Sequence, residues 1–259
     1  MKRLLPLLTL ALLAGCRAHT PAANTPPRAE LTVSAAVSLK DAFNEIGQLY
    51  ETRTGTKINF NFGASGVLQK QIEQGAPVDI FASAGEQQLD ALGAQNLILA
   101  DTRRDFALNT LVLITPADAP TRLDSFDQLA QDSVRKLAIG NPQTVPAGQY
   151  AQQLLTNLQL WDRVQAKLVL AEDVRQVLDY VTRGEVEAGL VYASDVAPTN
   201  TKVLIAARAP ATAHDPILYP VAVVKDSPHA DAARQFIALV LGPEGQSVLT
   251  KYGFLSAAR

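Results

Sequence analysis

Residues 31–50, LTVSAAVSLKDAFNEIGQLY, change from a strand pattern to a helix pattern within one short segment. Residues 31–33 are a short β-prone run, and apolar side chains then recur at helical spacing. Those apolar positions are Leu39, Ala42, Phe43, Ile46, Leu49 and Tyr50. A strand followed directly by a helix is the unit from which α/β proteins are built. This segment therefore predicts an α/β fold.

The same alternation continues along the chain. Further strands are predicted at residues 57–62, 77–81, 111–114, 137–139, 168–170, 190–192, 203–205 and 221–224. Further helices are predicted around residues 68–72, 86–92, 147–158, 174–181, 232–241 and 243–252. Strands separated by helices indicate mostly parallel sheets.

The rhythm restarts after residue 116, which favours two α/β lobes with mostly parallel sheets joined by a two-strand hinge. We assign residues 31–110 and 222–259 to lobe I and residues 111–221 to lobe II. The strands near 110–116 and 218–224 are expected to cross between the lobes. A single larger α/β domain is the alternative.

The N-terminus has the layout of a secretory signal. Lys2 and Arg3 precede an apolar run that is too short to span a membrane, which takes about 20 residues. Residues 13–16, LAGC, are similar to a bacterial lipobox, which predicts a signal peptide over 1–15 and lipid on Cys16. Residues 16–30 are rich in Pro and Ala and predict a flexible tether. Cleavage elsewhere, with Cys16 in an ordinary signal region, is the alternative.

Composition excludes several classes of protein. The chain of 259 residues has 23 Lys and Arg against 25 Asp and Glu, which gives no electrostatic footprint for nucleic acid. One Cys excludes a disulfide framework and a multi-Cys metal site. Loss of residues 1–15 removes Lys2 and Arg3 and leaves 21 basic residues, a net charge of −4. The net charge therefore does not attract anions, and a site for an anion would need donors placed around it.

Four predicted helix starts share one character: small or hydroxyl side chains and an accessible backbone. They are 35–39 (AAVSL), 62–66 (FGASG), 145–148 (VPAG) and 171–174 (AEDV). Helix starts present unpaired N–H groups and about half a positive charge, so they bind anions without Lys or Arg. In open α/β sheets, ligands bind beyond the carboxyl ends of strands, where these helices begin. Ser38 and Ser65 can add hydroxyls, although each is also a good structural cap, Ser38 as an N-cap.

Catalytic motifs are weak by comparison. The sequence has no G-x-S-x-G, P-loop, G-x-G-x-x-G or H-E-x-x-H motif. A secreted hydrolase that uses Ser65 or Ser38 stays an alternative, but it needs a His or carboxylate partner. A structural lipoprotein without a ligand is a further alternative.

At these helix starts the chain resembles a known family, the molybdate/tungstate-binding proteins of bacterial ABC importers, which have the type II periplasmic binding protein fold. The matching segments run in order from residue 31 to 254: 35–39, 63–66, 75–84, 145–151, 171–175, 189–195, 219–223 and 252–254. The family often carries a run of serines at the second motif. Here the motif is GASGV, residues 63–67, so only Ser65 keeps its place.

The resemblance implies an oxyanion held through its oxygens by neutral donors, without direct protein–metal ligands. Carried over by position, Ser38 and Ser65 give hydroxyl and N–H groups, Ala147 and Val174 give backbone N–H groups, and Tyr192 gives its phenol. It also implies a monomeric, extracytoplasmic binding protein, in the periplasm or at the cell surface. Such a protein has no enzymatic activity and no cofactor and delivers molybdate or tungstate to an ABC permease. Another oxyanion, such as sulfate or phosphate, is the nearest alternative ligand.

Overall fold

A computed structural model describes residues 30–120, 122–196 and 201–257. The predicted signal peptide, Cys16 and nearly all of the predicted tether lie outside these residues. Within the described ranges, no helix is both long and apolar enough to cross a membrane.

Strands and helices alternate, as the sequence predicts. The strands are β1 (Glu30–Ala36), β2 (Lys57–Gly63), β3 (Ile80–Ala82), β4 (Arg104–Leu108), β5 (Leu111–Pro116), β6 (Leu137–Gly140), β7 (Leu168–Ala171), β8 (Ala188–Tyr192), β9 (Val203–Arg208), β10 (Leu218–Val223) and β11 (Leu255–Ser256). The α-helices are α1 (Lys40–Thr54), α2 (Ser65–Glu73), α3 (Glu86–Ala94), α4 (Pro146–Asn157), α5 (Trp161–Val164), α6 (Val174–Thr182), α7 (Ala230–Leu241) and α8 (Pro243–Lys251).

The first lobe surrounds a six-stranded sheet with the order β11-β4-β10-β3-β1-β2. Strand β1 lies between β2 and β3 and pairs with both in parallel, and its apolar side chains are fully buried. Helix α1 covers the sheet with Phe43, which packs against the rings of Phe60, Phe106 and Phe236. Burial of these aromatic rings is a large part of the hydrophobic stabilisation of this lobe.

The second lobe surrounds a five-stranded sheet with the order β7-β6-β8-β5-β9. Strand β6 pairs in parallel with β7 and β8, and helices α4 and α6 contact this sheet. Helix α6 buries Val177, Leu178 and Val181 against the strands. The prediction of two α/β lobes is therefore confirmed.

The sheets are mixed rather than mostly parallel, which corrects the prediction. Strand β10 runs antiparallel to β3 and β4, and β5 runs antiparallel to β8 and β9. Parallel neighbours need a long crossover connection. Strands β5 and β10 each follow a crossing between the lobes rather than a helical crossover within one lobe, and each runs antiparallel to its neighbours.

The chain crosses between the lobes in short connections rather than in the predicted strands. Strand β5 lies wholly in the second sheet and β10 wholly in the first, so residues 109–110 and 209–217 make the crossings. The two connections are side by side, because the N–H of Asn109 donates to Ile217 O at 3.1 Å and the N–H of Ala209 donates to Leu111 O at 2.9 Å. Since β10 begins at Leu218, the second crossing precedes residue 221, the predicted lobe boundary.

The sequence patterns did not predict β4, β11 or α5. Strand β4 begins with exposed Arg104 and Asp105 and buries only Phe106 and Ala107, so its apolar signal is too short. Strand β11 has only two residues, both exposed. Helix α5 is a single turn that begins at the partly buried Trp161.

Candidate binding site

One small cavity lies between the two lobes and brings all five predicted binding residues together. Its volume, open solvent excluded, is about 10 Å³. Its lining consists of Ala36, Val37, Ser38, Gly63, Ala64, Ser65, Ala84, Val145, Pro146, Ala147, Asp173, Val174 and Tyr192. That is room for about one water molecule, far below the 300–1,000 Å³ of pockets for drug-sized ligands, so any guest must be small.

Ser38 reaches the cavity in a different local structure from the one predicted. It lies in a 3-10 turn, Val37–Leu39, that precedes α1, and no side chain caps that helix. The prediction of Ser38 as an N-cap is therefore wrong, because the extra turn moves the helix start to Lys40. The freed Ser38 hydroxyl lies 3.0 Å from Tyr219 Oη instead.

Ser65 is the first residue of α2, as predicted, and Ala64 is the N-cap. Its hydroxyl does not cap the helix: Ser65 Oγ accepts the N–H of Ala84 at 3.0 Å. The first N–H groups of a helix have no partner within it, so the backbone at Ser65 also presents a donor to the cavity.

In the second lobe, α4 brings Ala147 to the cavity. Val145 is the N-cap and Pro146 is the first helical residue, a position that proline favours. A Cβ at Gly148 would lie only 1.9 Å from Gly140 O, so only glycine allows α4 to approach β6 this closely. The close approach fixes the Ala147 N–H at the cavity wall.

Helix α6 starts at Val174 and supplies the fourth helix N-terminus. Asp173 is its N-cap, and the carboxylate accepts the N–H of Gln176 at 2.9 Å. Asp173 is the only acidic side chain among the described residues that line the cavity, and this bond engages its carboxylate. Because Asp173 caps the helix, the Val174 N–H is left as a donor.

Tyr192 lies at the end of β8, and its hydroxyl donates to Ala84 O at 3.2 Å. Sequence patterns alone favoured a core role for Tyr192, and only the family resemblance assigned it to the site. Burial raises the pKa of Tyr192 well above its ordinary value, so the phenol keeps its proton. Tyr219, also fully buried, has its pKa raised for the same reason and was missed altogether.

Among the described residues, no Lys or Arg lines the cavity. Its polarity comes from hydroxyls and from helix N-termini, which carry partial positive charge. The arrangement therefore attracts an anion locally although the chain carries a net negative charge.

The two lobes are in direct contact around the cavity. The N–H of Gly66 donates to Thr144 O at 2.9 Å across the cleft. A Cβ at Gly66 would lie 2.6 Å from that oxygen, so glycine is needed for this approach. The five predicted binding residues are each at most 3% exposed, so a ligand enters only if the lobes separate.

An ion-pair network also joins the lobes beside the cavity. Arg175 of α6 donates to Asp195 at 2.9 Å within its own lobe and to Asp41 of α1 at 2.8 Å across the cleft. Burial raises the pKa of Asp195 to about 6, and the guanidinium of Arg175 opposes that rise. Arg175 is thereby oriented toward the first lobe.

The arrangement does not support the hydrolase alternative. Within the described residues, Ser38 bonds to a tyrosine and Ser65 to a backbone N–H, and neither contacts a His or a free carboxylate. His229 contacts Asp79 and His214 contacts a backbone carbonyl, and neither lines the cavity. A serine nucleophile needs an adjacent base.

Comparisons with known proteins agree with this architecture. The family model described as bacterial extracellular solute-binding protein matches residues 31–255. The putative ABC transporter substrate-binding lipoprotein YvgL of Bacillus subtilis is 41% identical over 96% of this chain and 95% of its own. The molybdate-binding protein ModA of Haemophilus influenzae is 36% identical over 98% and 99% of the two chains.

Among solved structures, the periplasmic molybdate-binding protein of Azotobacter vinelandii superposes with a TM-score of 0.80 and is 26% identical. The match covers 88% of this chain and all of that one. These relatives are binding proteins rather than enzymes, as the sequence predicts. The chain belongs to the bacterial extracellular solute-binding protein family and is a homologue of the ModA proteins.

Proposed function

We propose that this protein captures molybdate or tungstate in the interlobe cavity and delivers it to an ABC permease. One observation carries the proposal: hydrogen-bond donors from four helix starts and one strand end converge on a small cavity that no Lys or Arg of the described residues lines. The donors come from Ser38, Ser65, Ala147, Val174 and Tyr192, whose hydroxyl has to turn from Ala84 O to the anion. The names of the ModA relatives support molybdate as the ligand.

Neutral donors suit a buried dianion. Burying a charge is costly unless its oxygens are hydrogen-bonded, and a ring of N–H and O–H groups replaces the water shell. Hydrogen bonds to a charged group are worth about 1.5–3 kcal/mol each, so five donors support tight binding. Donors without charge leave no unpaired ion behind when the ligand departs.

Size is the expected basis of selectivity. Donors fixed on two rigid lobes hold a tetrahedral anion of one size at good hydrogen-bond length. Sulfate and phosphate are smaller and cannot reach every donor at once. Molybdate and tungstate are nearly the same size, so the cavity should bind them about equally.

A thermal-shift panel with molybdate, tungstate, sulfate and phosphate tests this function. A ligand that binds only the folded protein raises its melting temperature with the logarithm of concentration. We expect large shifts with molybdate and tungstate and small ones with sulfate and phosphate. A larger shift with sulfate or phosphate would assign the site to that anion, and no shift with any would contradict an oxyanion carrier.

We further propose that lipid on Cys16 tethers the protein outside the cytoplasmic membrane. The LAGC segment and the lipoprotein named among the relatives support this. A lipid anchor with a tether keeps a binding protein close to its permease. Metabolic labelling with a fatty-acid analogue should mark the unaltered protein and not Cys16→Ser. Labelling that persists in the variant would refute Cys16 as the attachment point.

A further inference from the structure

The inference concerns a buried hydrogen-bond chain behind Ser38, at the place where the chain crosses between the lobes. Asn109 lies in the first crossing, and its amide orientation is fixed because Oδ1 accepts the N–H of Thr110 at 2.9 Å. Its Nδ2 therefore points the other way. It donates to Ser194 Oγ at 2.8 Å and to Tyr219 Oη at 3.2 Å.

Tyr219 links Asn109 to Ser38. An amide nitrogen only donates, so Tyr219 Oη must accept from Asn109. Ser38 Oγ lies 3.0 Å from Tyr219 Oη, and either hydroxyl can donate in this pair. Because Tyr219 Oη already accepts from Asn109, we take Tyr219 as the donor to Ser38.

Ser38 thus accepts from Tyr219 and keeps its own hydrogen for the cavity that it lines. The Ser65 hydroxyl is directed in the same way by a single bond, because its Oγ accepts the backbone N–H of Ala84. In this arrangement both serines accept from a group behind them, so both present O–H rather than a lone pair to the cavity.

We infer that Asn109 and Tyr219 are positioning residues that hold the Ser38 hydroxyl as a hydrogen-bond donor to the bound anion. The inference rests on the proposed function, since it takes Ser38 as a ligand of the oxyanion. A site lined by directed donors favours anions that carry no proton. An anion with its own O–H, such as hydrogen phosphate, offers that group no acceptor at either serine.

We call the bonds from Asn109 through Tyr219 to Ser38 the relay. A double-mutant cycle measured by calorimetric titration with molybdate tests it. We expect Tyr219→Phe to weaken binding about five- to twentyfold, because Ser38 loses the bond that directs its hydrogen while the tyrosine ring is kept. In a Ser38→Ala background the same change should alter the affinity less than about twofold, because no hydroxyl remains to be directed. A purely structural role for Tyr219 would cost the same in both backgrounds.

Tyr50→Phe is the matched control. Tyr50 is also buried, and its hydroxyl donates to Ala232 O at 2.9 Å away from the cavity. The control should lose some thermal stability and keep the molybdate affinity of the unaltered protein. A loss of affinity in the control like that of Tyr219→Phe would overturn the relay.

Asn109→Asp is the second variant and does not depend on the folding of Tyr219→Phe. The new carboxylate accepts the Tyr219 hydrogen, so the Ser38 hydrogen turns back to Tyr219 and a lone pair faces the anion. We expect a loss of molybdate affinity of at least about tenfold with Ser38 present. The smaller loss in the Ser38→Ala background measures the effect of the added charge alone.

The outcomes separate the two proposals. Absence of molybdate binding by the unaltered protein would overturn the proposed function and this inference with it. Molybdate binding with equal losses in the Ser38 and Ser38→Ala backgrounds would overturn only the relay. Losses confined to the Ser38 background would support both.

Discussion

The two halves of the cavity supply donors of different kinds. The first lobe provides the hydroxyls of Ser38 and Ser65, each held by another buried group. The helix starts of the second lobe provide only backbone N–H groups, at Ala147 and Val174, whose side chains are buried. A side-chain substitution can therefore remove a donor of the first lobe, but it leaves the backbone donors of the second lobe in place. The predictions below probe each half with the substitution that its chemistry allows.

The largest effect is expected where the halves meet. Gly66→Ala places a methyl group 2.6 Å from the backbone oxygen of Thr144 in the closed arrangement. The lobes then cannot close, and the anion loses the donors of one half. Loss of two such hydrogen bonds weakens molybdate binding at least about a hundredfold by calorimetry.

Folding should survive this change, because the clash exists only between the lobes and alanine favours a helix over glycine. Gly93→Ala is the matched control: Gly93 lies in α3, where a Cβ would meet Ile98 at 3.6 Å, an ordinary contact. Retained affinity in Gly66→Ala would show that capture does not need this closure. Lost affinity in Gly93→Ala would point to a general effect of helical substitution.

The second half is tested by removing one backbone hydrogen. Val174→Pro deletes the N–H at the first residue of α6, the helix position that proline favours. Asp173 before it is extended, as proline requires of its predecessor. We expect the molybdate affinity to fall about ten- to a hundredfold in calorimetric titration, the value of one hydrogen bond to a charged group.

Val174→Ala separates the donor from the side chain. It removes most of the buried side chain but keeps the N–H, so it should lower the melting temperature and leave the affinity nearly unchanged. Equal losses of affinity in the two variants would mean that packing of Val174, rather than its N–H, shapes the site.

Local patterns predicted the fold and the four helix starts because each is encoded within a few residues. The period of the apolar side chains marks α1, and Ser65 after small residues marks the start of α2. The directions of the strands at the crossings between the lobes were less predictable. The strand directions that make the sheets mixed depend on how the chain returns from one lobe to the other.

The residues behind the cavity carry no local signal. Tyr219 is 181 residues from Ser38, and Asn109 is 110 residues from Tyr219. A tyrosine in a strand and an asparagine in a connection are ordinary in sequence. Their roles appear only when the crossing connections bring them together. The Ser38 N-cap prediction failed for a smaller reason, since one extra 3-10 turn separates it from α1.

Ser65→Ala probes the first half and should have a moderate effect. The anion loses the Ser65 hydroxyl, but the freed N–H of Ala84, which also lines the cavity, can donate in its place. We expect calorimetry to show an affinity about three- to tenfold weaker, and melts to show about 1–3 kcal/mol less stability.

Ser83→Ala controls for that loss of stability. Ser83 is buried and bonds to Gly85 outside the cavity lining, so this variant should melt earlier and bind molybdate normally. Unchanged affinity in Ser65→Ala would remove its hydroxyl from the proposed site and leave the backbone as the whole contribution of that helix start.

The smallest effect is expected from the ion pair that joins the two halves beside the cavity. Asp41→Asn removes the partner that Arg175 reaches across the cleft, but the Asp41 side chain is 49% exposed. Exposed pairs are worth about 0.2–1 kcal/mol, so molybdate affinity should fall about two- to fivefold at low salt. The difference should vanish near 1 M salt, where screening is strong. Glu45→Gln on the same helix breaks a pair with Lys251 inside the first lobe and should leave the affinity unchanged. A loss that persists at high salt would mean that Asp41 acts through packing of the lobes rather than through its charge.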